Sequence, residues 1–252
     1  MDMRVNIAGV EWKNPVTVAS GTFGSGAEFV DFVDLNKLGA VTTKGVANVP
    51  WAGNPTPRVA ETYGGMMNAI GLQNPGIDLF CERDIPFLKQ YDTKIIVNVC
   101  GHAPEEYFAV VERLADEPID MMEINISCPN VSAGGAAFGM SCSSANSVVA
   151  AVRAVTKKPL WVKLTPQSPE LAKVALSCIE AGADAISLCN SFQGVAIDVE
   201  TGRPVFDKIK AGFGGPAVRP IAVRLIYELY ETIQSLPEDK RVPIIAIGGL
   251  AT

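Results

Sequence analysis

Pro159-Leu160-Trp161-Val162-Lys163-Leu164 is apolar at nearly every position, and only Lys163 breaks the run. A strand of that kind is buried on both faces, the mark of a parallel sheet rather than a half-solvated antiparallel one. The next stretch of chain is helical. From Pro169 to Ala181, the residues Leu171, Val174, Ala175, Cys178 and Ile179 recur on one face. Ala181-Gly182-Ala183-Asp184 then stops the helix and feeds the next apolar run, Ala185-Ile186-Ser187-Leu188. Outward from this unit the pattern repeats. Strands are expected near 16–19, 40–45, 94–99, 120–127, 160–164, 185–190 and 243–248. Further helices are expected from Ala145 to Thr156, with Val148, Val149, Val152 and Val155 on one face, and from about Pro220 to Ser235.

Repeated βα units build either a (β/α)8 barrel or a doubly wound sheet. The polar, chemistry-bearing residues follow the C-terminal ends of several different strands, which favours the TIM barrel. Seven strands can be counted, and an eighth βα unit would have to lie beyond Thr252. The expectation is therefore one domain over residues 1–252, a barrel whose last βα unit is missing from the chain. Residues 46–80 and 191–219 are rich in Gly and Pro and lack clear periodicity. They are expected to be long loops, either functional or disordered.

Composition narrows the function. Of 252 residues, 48% are hydrophobic and 19% charged, against a usual charged share of about 25%, which excludes disorder. A net charge of −6 is the opposite of a nucleic-acid footprint. Mean hydropathy is +0.22, yet no apolar run approaches the roughly 18 residues of a membrane span. The start, Met1-Asp2-Met3-Arg4-Val5-Asn6, has no signal-peptide core. A cytoplasmic protein without membrane or nucleic-acid partners is expected. The six cysteines show no CxxC spacing and His102 is the only histidine, so a zinc site is not expected and any histidine triad would have to use His102.

Several motifs carry chemistry. Gly21-Thr22-Phe23-Gly24-Ser25-Gly26 fits neither dinucleotide nor NTP spacing, and reads as a tight βα turn or a cofactor-contacting loop. Asn125-Ile126-Ser127-Cys128-Pro129-Asn130 gathers polar groups where a buried strand ends. Its amides and hydroxyl could orient a planar polar ligand while the Cys128 thiolate takes a proton. The plainer reading is a Pro129-Asn130 turn beside a buried thiol. Lys44 and Lys163 each interrupt or end an apolar strand, where a lysine either meets an anion or snorkels to solvent. Two such lysines on strands of one orientation favour a shared site. Asn98 and Asn190 sit at strand ends in the same way, and Ile247-Gly248-Gly249 offers backbone amides behind a strand, suited to phosphate.

Over essentially its whole length the sequence resembles the class 1 dihydroorotate dehydrogenases. The resemblance rests on Asn14-Pro15-Val16 with Ala19-Ser20-Gly21, Thr43-Lys44-Gly45-Val46, Gly53-Asn54-Pro55 with Pro57-Arg58, and Asn68 to Gly76. It continues in Asn125 to Asn130, Gly134-Gly135 to Phe138-Gly139, and Gly214-Gly215-Pro216-Ala217. The Gly-Gly-x-x-Phe-Gly continuation is similar to subclass 1B.

The resemblance implies an FMN-containing (β/α)8 barrel that oxidises dihydroorotate to orotate in pyrimidine biosynthesis. It implies Cys128 as the catalytic base. Substrate would meet Lys44, Asn68, Ala69, Ile70, Gly71, Leu72, Asn125, Asn130, Asn190 and Ser191. FMN would meet Ser20, Lys44, Gly45, Asn98, Asn125, Lys163, Cys189, Gly215, Gly248 and Gly249. A flexible loop at Val131 to Cys142 would close over the site. Subclass 1B further implies a homodimer joined by an electron-transfer subunit that carries FAD and a 2Fe–2S cluster and passes electrons to NAD, a heterotetramer. The cysteines of this chain lack the clustered spacing for iron–sulfur ligation. Two other readings are a related FMN barrel of the dihydropyrimidine dehydrogenase type, acting on uracil or thymine, and a truncated barrel without catalysis.

Overall fold

The structure is a computed structural model and describes residues 1–127 and 138–250. The chain opens with a hairpin, β1 (Val5–Ile7) against β2 (Val10–Trp12). Its turn residues Ala8 and Gly9 both have positive φ, 51° and 85°, which matches the twist of the flanking strands. Six parallel strands then succeed one another across the main sheet: β3 (Ala40–Thr42), β6 (Lys94–Val99), β7 (Met121–Asn125), β8 (Leu160–Lys163), β9 (Ala185–Leu188) and β12 (Ile244–Ala246). Spatial order and chain order coincide. A doubly wound sheet reverses its order at a switch point, so this progression is that of a barrel.

The expected strand at 16–19 does not form. The Val16 carbonyl accepts from the N–H groups of both Gly39 and Ala40, at 3.0 and 3.2 Å. Thr17 Oγ1 lies 3.0 Å from Thr42 Oγ1. The segment therefore leans on β3, but Pro15 before it has no N–H to extend a ladder. The main sheet of the described residues has six strands where seven were expected.

Along these strands side chains alternate between two destinations. Val97, Val99, Met122, Ile124, Leu160, Val162, Ile186 and Leu188 pack outward under the helices. Ala40, Ile96, Met121, Trp161, Ala185 and Ile245 pack inward with Trp12 of the N-terminal hairpin. Trp12 and Trp161 meet with ring centroids 5.9 Å apart. The covering helices are α1 (Pro104–Leu114), α2 (Cys142–Arg153), α3 (Leu171–Glu180) and α4 (Arg219–Gln234). The last three lie where helical periodicity places them. Gly182 has φ 103° just past α3, as the expected stop requires. Asp184 then accepts from Arg153 Nη1 at 2.8 Å and from the Leu160 amide at 2.9 Å, tying α2 to the start of β8.

The two supposed loops are more ordered than their composition suggests. Together they build a second, antiparallel sheet from β4 (Val59–Thr62), β5 (Gly65–Asn68), β10 (Phe192–Val195) and β11 (Lys210–Gly214), in the order β10-β11-β5-β4. These strands are four or five residues long and carry glycines at close approaches. A side chain on Gly65 would sit 2.3 Å from the Gly214 carbonyl oxygen. Short strands with glycine at pairing positions give no period-2 signal, which is why the pattern is invisible in sequence. The sheet seats Asn68 and Ser191 over the main sheet. Residues 77–88 form three consecutive helical pieces, Ile77–Leu79, Phe80–Asp84 and Ile85–Leu88, whose Ile77, Phe80, Ile85 and Leu88 join the outward core. Among the described residues no helix is long and apolar enough to cross a membrane.

Candidate active site

Two residues beyond the inward apolar ring, the same strands turn polar. Thr42, Asn98, Glu123, Lys163 and Ser187 are all buried here. Burying such groups is costly unless each is satisfied. Asn98 Nδ2 donates to Glu123 Oε2 at 2.5 Å, and Ser187 Oγ donates to Glu123 Oε1 at 2.7 Å. Glu123 on β7 thus reaches past β8 to β9, which a flat sheet would not allow. Lys163 is 4% exposed and stands in register with Asn125 on one side and Ser187 on the other.

Above this tier the carboxamides continue from strand to strand. Asn125 Nδ2 donates to Asn98 Oδ1 at 3.5 Å. Asn125 Oδ1 accepts from the Ser127 backbone N–H at 3.2 Å and from its hydroxyl at 2.8 Å. Asn190 Nδ2 donates to Ser127 Oγ at 2.7 Å and to the Ser127 carbonyl at 3.1 Å. Asn190 Oδ1 accepts from the Ser191 N–H at 2.7 Å. Tyr107 of α1 donates its hydroxyl to the Asn125 carbonyl at 2.8 Å and so fixes the end of β7 from behind.

The remaining expected residues join this chain at its two ends. Gly45 needs to be glycine, because a side chain there would lie 2.8 Å from Asn98 Oδ1 and 3.5 Å from Leu72 Cδ2. Leu72 ends the turn Ala69 to Leu72, with positive φ at Gly71 (74°) and Leu72 (54°). Asn54 holds that turn, its N–H donating to the Ile70 carbonyl at 3.0 Å and its amide to the Ala69 carbonyl at 3.0 Å. At the other end, a side chain on Gly212 would strike Ser191 Oγ at 2.3 Å and approach Asn68 Nδ2 at 3.5 Å. Asn68 and Ser191 therefore face one another across β11. Ser20 lies in the turn closed by Thr22 N–H on the Ala19 carbonyl, whose Gly21 lies against Lys44 Nζ.

The glycines group separately, beside Lys163. Burial pushes the Cys189 thiol up to about 12, with Lys163 pulling it down slightly, so the two are neighbours. A side chain on Gly248 would touch Ala222 Cβ of α4 at 3.0 Å, with Cys189 Sγ at 4.0 Å. One on Gly249 would meet the Gly215 carbonyl oxygen at 2.7 Å, and one on Gly215 the Gly65 Cα at 2.7 Å. All three have positive φ. This corner, at the start of α4, is packed largely backbone on backbone, with no room for a side chain at any of the three.

Cys128, Asn130 and residues 131–137 of the expected loop lie outside the described residues. His102 stands apart from the site, its ring 4.0 Å from that of Trp51 and tilted 37° to it, with Nδ1 3.4 Å from Glu106. Sequence reading overlooked Glu123. Its signal was present, a charge inside Met121-Met122-Glu123-Ile124, the same interruption that singles out Lys163.

Comparison with known proteins points the same way. The family model described as dihydroorotate dehydrogenase matches residues 2–252. The chain is 53% identical over 252 residues to the catalytic subunit of dihydroorotate dehydrogenase B (NAD(+)) from Alkaliphilus metalliredigens, covering all of this chain and 81% of that one. It is 50% identical over 250 residues to the corresponding subunit from Petrotoga mobilis, covering 99% of this chain and 81% of that one. Among solved structures, the dihydroorotate dehydrogenase of Eimeria tenella, crystallised with ferulenol, superposes with a TM-score of 0.79 at 21% identity. That superposition covers 100% of this chain and 74% of the other, and supports the barrel-type fold.

Proposed function

The chain belongs to the dihydroorotate dehydrogenase family, and we propose that it is a B-type catalytic subunit, oxidising dihydroorotate to orotate in pyrimidine biosynthesis and passing the electrons to NAD through a partner subunit. One observation carries this reading. Carboxamides and buried lysine form a connected polar surface at the C-terminal mouth of the sheet, in a chain about half identical over its full length to such subunits.

The residues fit FMN. Gly215, Gly248 and Gly249 come together with positive φ at the start of α4, where backbone N–H groups would meet a phosphate. Lys163, held beside Cys189, supplies a positive charge where a planar ring would rest on the inward tier. Asn98 and Asn125 offer both donors and acceptors to ring edges. When bound, FMN supplies the acceptor for the hydride that leaves dihydroorotate. The protein's own groups do the rest. Asn68, Asn125, Asn190 and Ser191, with the backbone of Ala69 to Leu72, hold the uracil-like ring, and Lys44 balances the carboxylate. Asn130 completes the ring contacts. Cys128 takes the proton from the carbon next to the departing hydride. Ser20 and Gly45 line the cofactor side. The partner subunit would carry FAD and the 2Fe–2S cluster, and the catalytic chain would pair with a second copy in a heterotetramer.

The test is an anaerobic visible spectrum of the protein supplied with FMN, before and after dihydroorotate. Bound flavin that bleaches is expected. Flavin that bleaches with dihydrouracil but not dihydroorotate would move the substrate to the pyrimidine-base class. In Cys128→Ala the flavin spectrum should persist while its reduction slows by roughly 10²-fold or more, the range for loss of a general base. Unchanged reduction would remove Cys128 from the mechanism.

A further inference from the structure

The proposed site needs its amides to point a particular way, and nothing in an asparagine decides that by itself. A carboxamide is nearly symmetric in shape, but one end only donates and the other only accepts. We infer that Glu123 is the positioning residue that sets this direction for Asn98 and, through it, holds the NH2 of Asn125. The inference rests on the functional reading above only for what the amides meet, not for how they are held.

Glu123 is fully buried, in register with Asn98 and one tier below Asn125. As a carboxylate it can only accept. Asn98 must therefore turn its NH2 down to Glu123 Oε2, at 2.5 Å, and its carbonyl oxygen up toward Asn125. Asn125 must then offer its NH2 to Asn98 and its oxygen to Ser127. The Ser127 hydroxyl, having donated to Asn125, is left to accept from Asn190 Nδ2 at 2.7 Å. Asn190 Oδ1 is then free to accept from the Ser191 N–H. The far links are pinned by backbone as well, since the Ser127 and Ser191 N–H groups can only donate and the Ser127 carbonyl can only accept. What Glu123 alone decides is the direction of Asn98, and hence whether the Asn125 NH2 finds an acceptor. The second carboxylate oxygen is held by Ser187 on β9 at 2.7 Å, so Glu123 is clamped across three strands and cannot swing away. Gly45 makes room at the first link, since a side chain there would crowd Asn98 Oδ1.

The test compares Glu123→Met, which keeps the length and removes both acceptors, with Glu123→Gln. Glutamine can keep an oxygen toward Asn98 and turn its NH2 to the Ser187 hydroxyl, so it preserves direction while losing charge. The first readout is hydrogen exchange of the Asn98 and Asn125 side-chain amides by NMR, which needs neither flavin nor substrate. Glu123→Met should lose protection at both amides by about tenfold or more, and Glu123→Gln should keep it within about twofold. On FMN-loaded protein, orotate affinity read from the flavin absorbance should fall about tenfold in Glu123→Met and recover in Glu123→Gln. Protection retained at Asn125 in Glu123→Met would overturn the inference. So would a Glu123→Gln protein as impaired as Glu123→Met, which would point to charge or packing instead. Should Glu123→Met not fold, Asn98→Leu cuts the chain at the next link and must release the Asn125 amide, and retention there overturns the inference equally. A wild-type protein that binds no orotate would refute the functional reading, while the amide exchange would still decide this one.

Discussion

Trp161 and Lys163 stand two residues apart on one strand and point to the same side, yet they live in different chemistry. At the level of Trp161 the interior is Ala40, Ile96, Met121, Ala185 and Ile245, closed from below by Trp12. At the level of Lys163 it is Thr42, Asn98, Glu123 and Ser187. A shift of one strand period, about 6–7 Å, separates a floor that holds the barrel together from a mouth that holds polar groups in place. The same strands serve both because side chains alternate and tiers stack. The floor stabilises by excluding water and by filling space. The mouth is buried too, so its polar groups must satisfy one another, and that requirement organises them.

Trp161→Ala should break the floor and is expected to cost the most, about 3–5 kcal/mol, the range for deleting a fully buried aromatic. Thermal unfolding would read it, and flavin affinity of the folded fraction should change little if the two tiers are separable. Lys163→Ala tests the mouth in reverse. The unfolding midpoint should move less, while FMN affinity falls by about 1.5–3 kcal/mol, roughly ten- to a hundredfold. Unchanged flavin content would take Lys163 out of the cofactor site.

A third experiment asks whether the mouth is as dry as the floor. Burial raises the Cys189 thiol from 9.0 to about 12, just as it raises the core thiol Cys178 to about 12. Both thiols are raised in the folded state, so the unfolded chain releases their protons first. The stabilisation is full below about pH 9 and should be lost as pH rises from 9 toward 12, by about 1.4 kcal/mol per thiol for each unit of pH. Cys189→Ala should lessen that alkaline loss. An undiminished loss would mean that water reaches the mouth. The smallest effect is expected from Trp161→Phe. The indole N–H groups of Trp12 and Trp161 are buried without a hydrogen-bond partner among the described residues. Removing one should therefore offset lost packing and leave stability within about 1 kcal/mol. A loss as large as that of Trp161→Ala would show that this N–H has a partner after all.

How much of the molecule was legible in its sequence varies by region. The parallel sheet and helices α2, α3 and α4 could be read because each is long enough, and apolar enough, for its period to stand out. Lys163, Asn98 and Asn190 could be read as polar exceptions on apolar strands. Glu123 carried the same signal and was overlooked. The second sheet could not be read, because its strands are short and broken by glycine, and the pairing that joins its two halves spans more than a hundred positions, as between Asn68 and Gly212. The stretch at 16–19 looked like a strand and is not one, since apolarity alone does not supply a hydrogen-bonding neighbour.

By itself the amino-acid sequence determined the residue types, the alternation and the order of βα units, because these depend on local spacing and on which side chains water rejects. Only the tertiary structure decided that strand order runs without reversal and that Glu123 reaches past one strand to the next. It also decided that Asn68 and Ser191 meet across β11. Those outcomes depend on curvature and on contacts between distant segments, which no window of sequence contains.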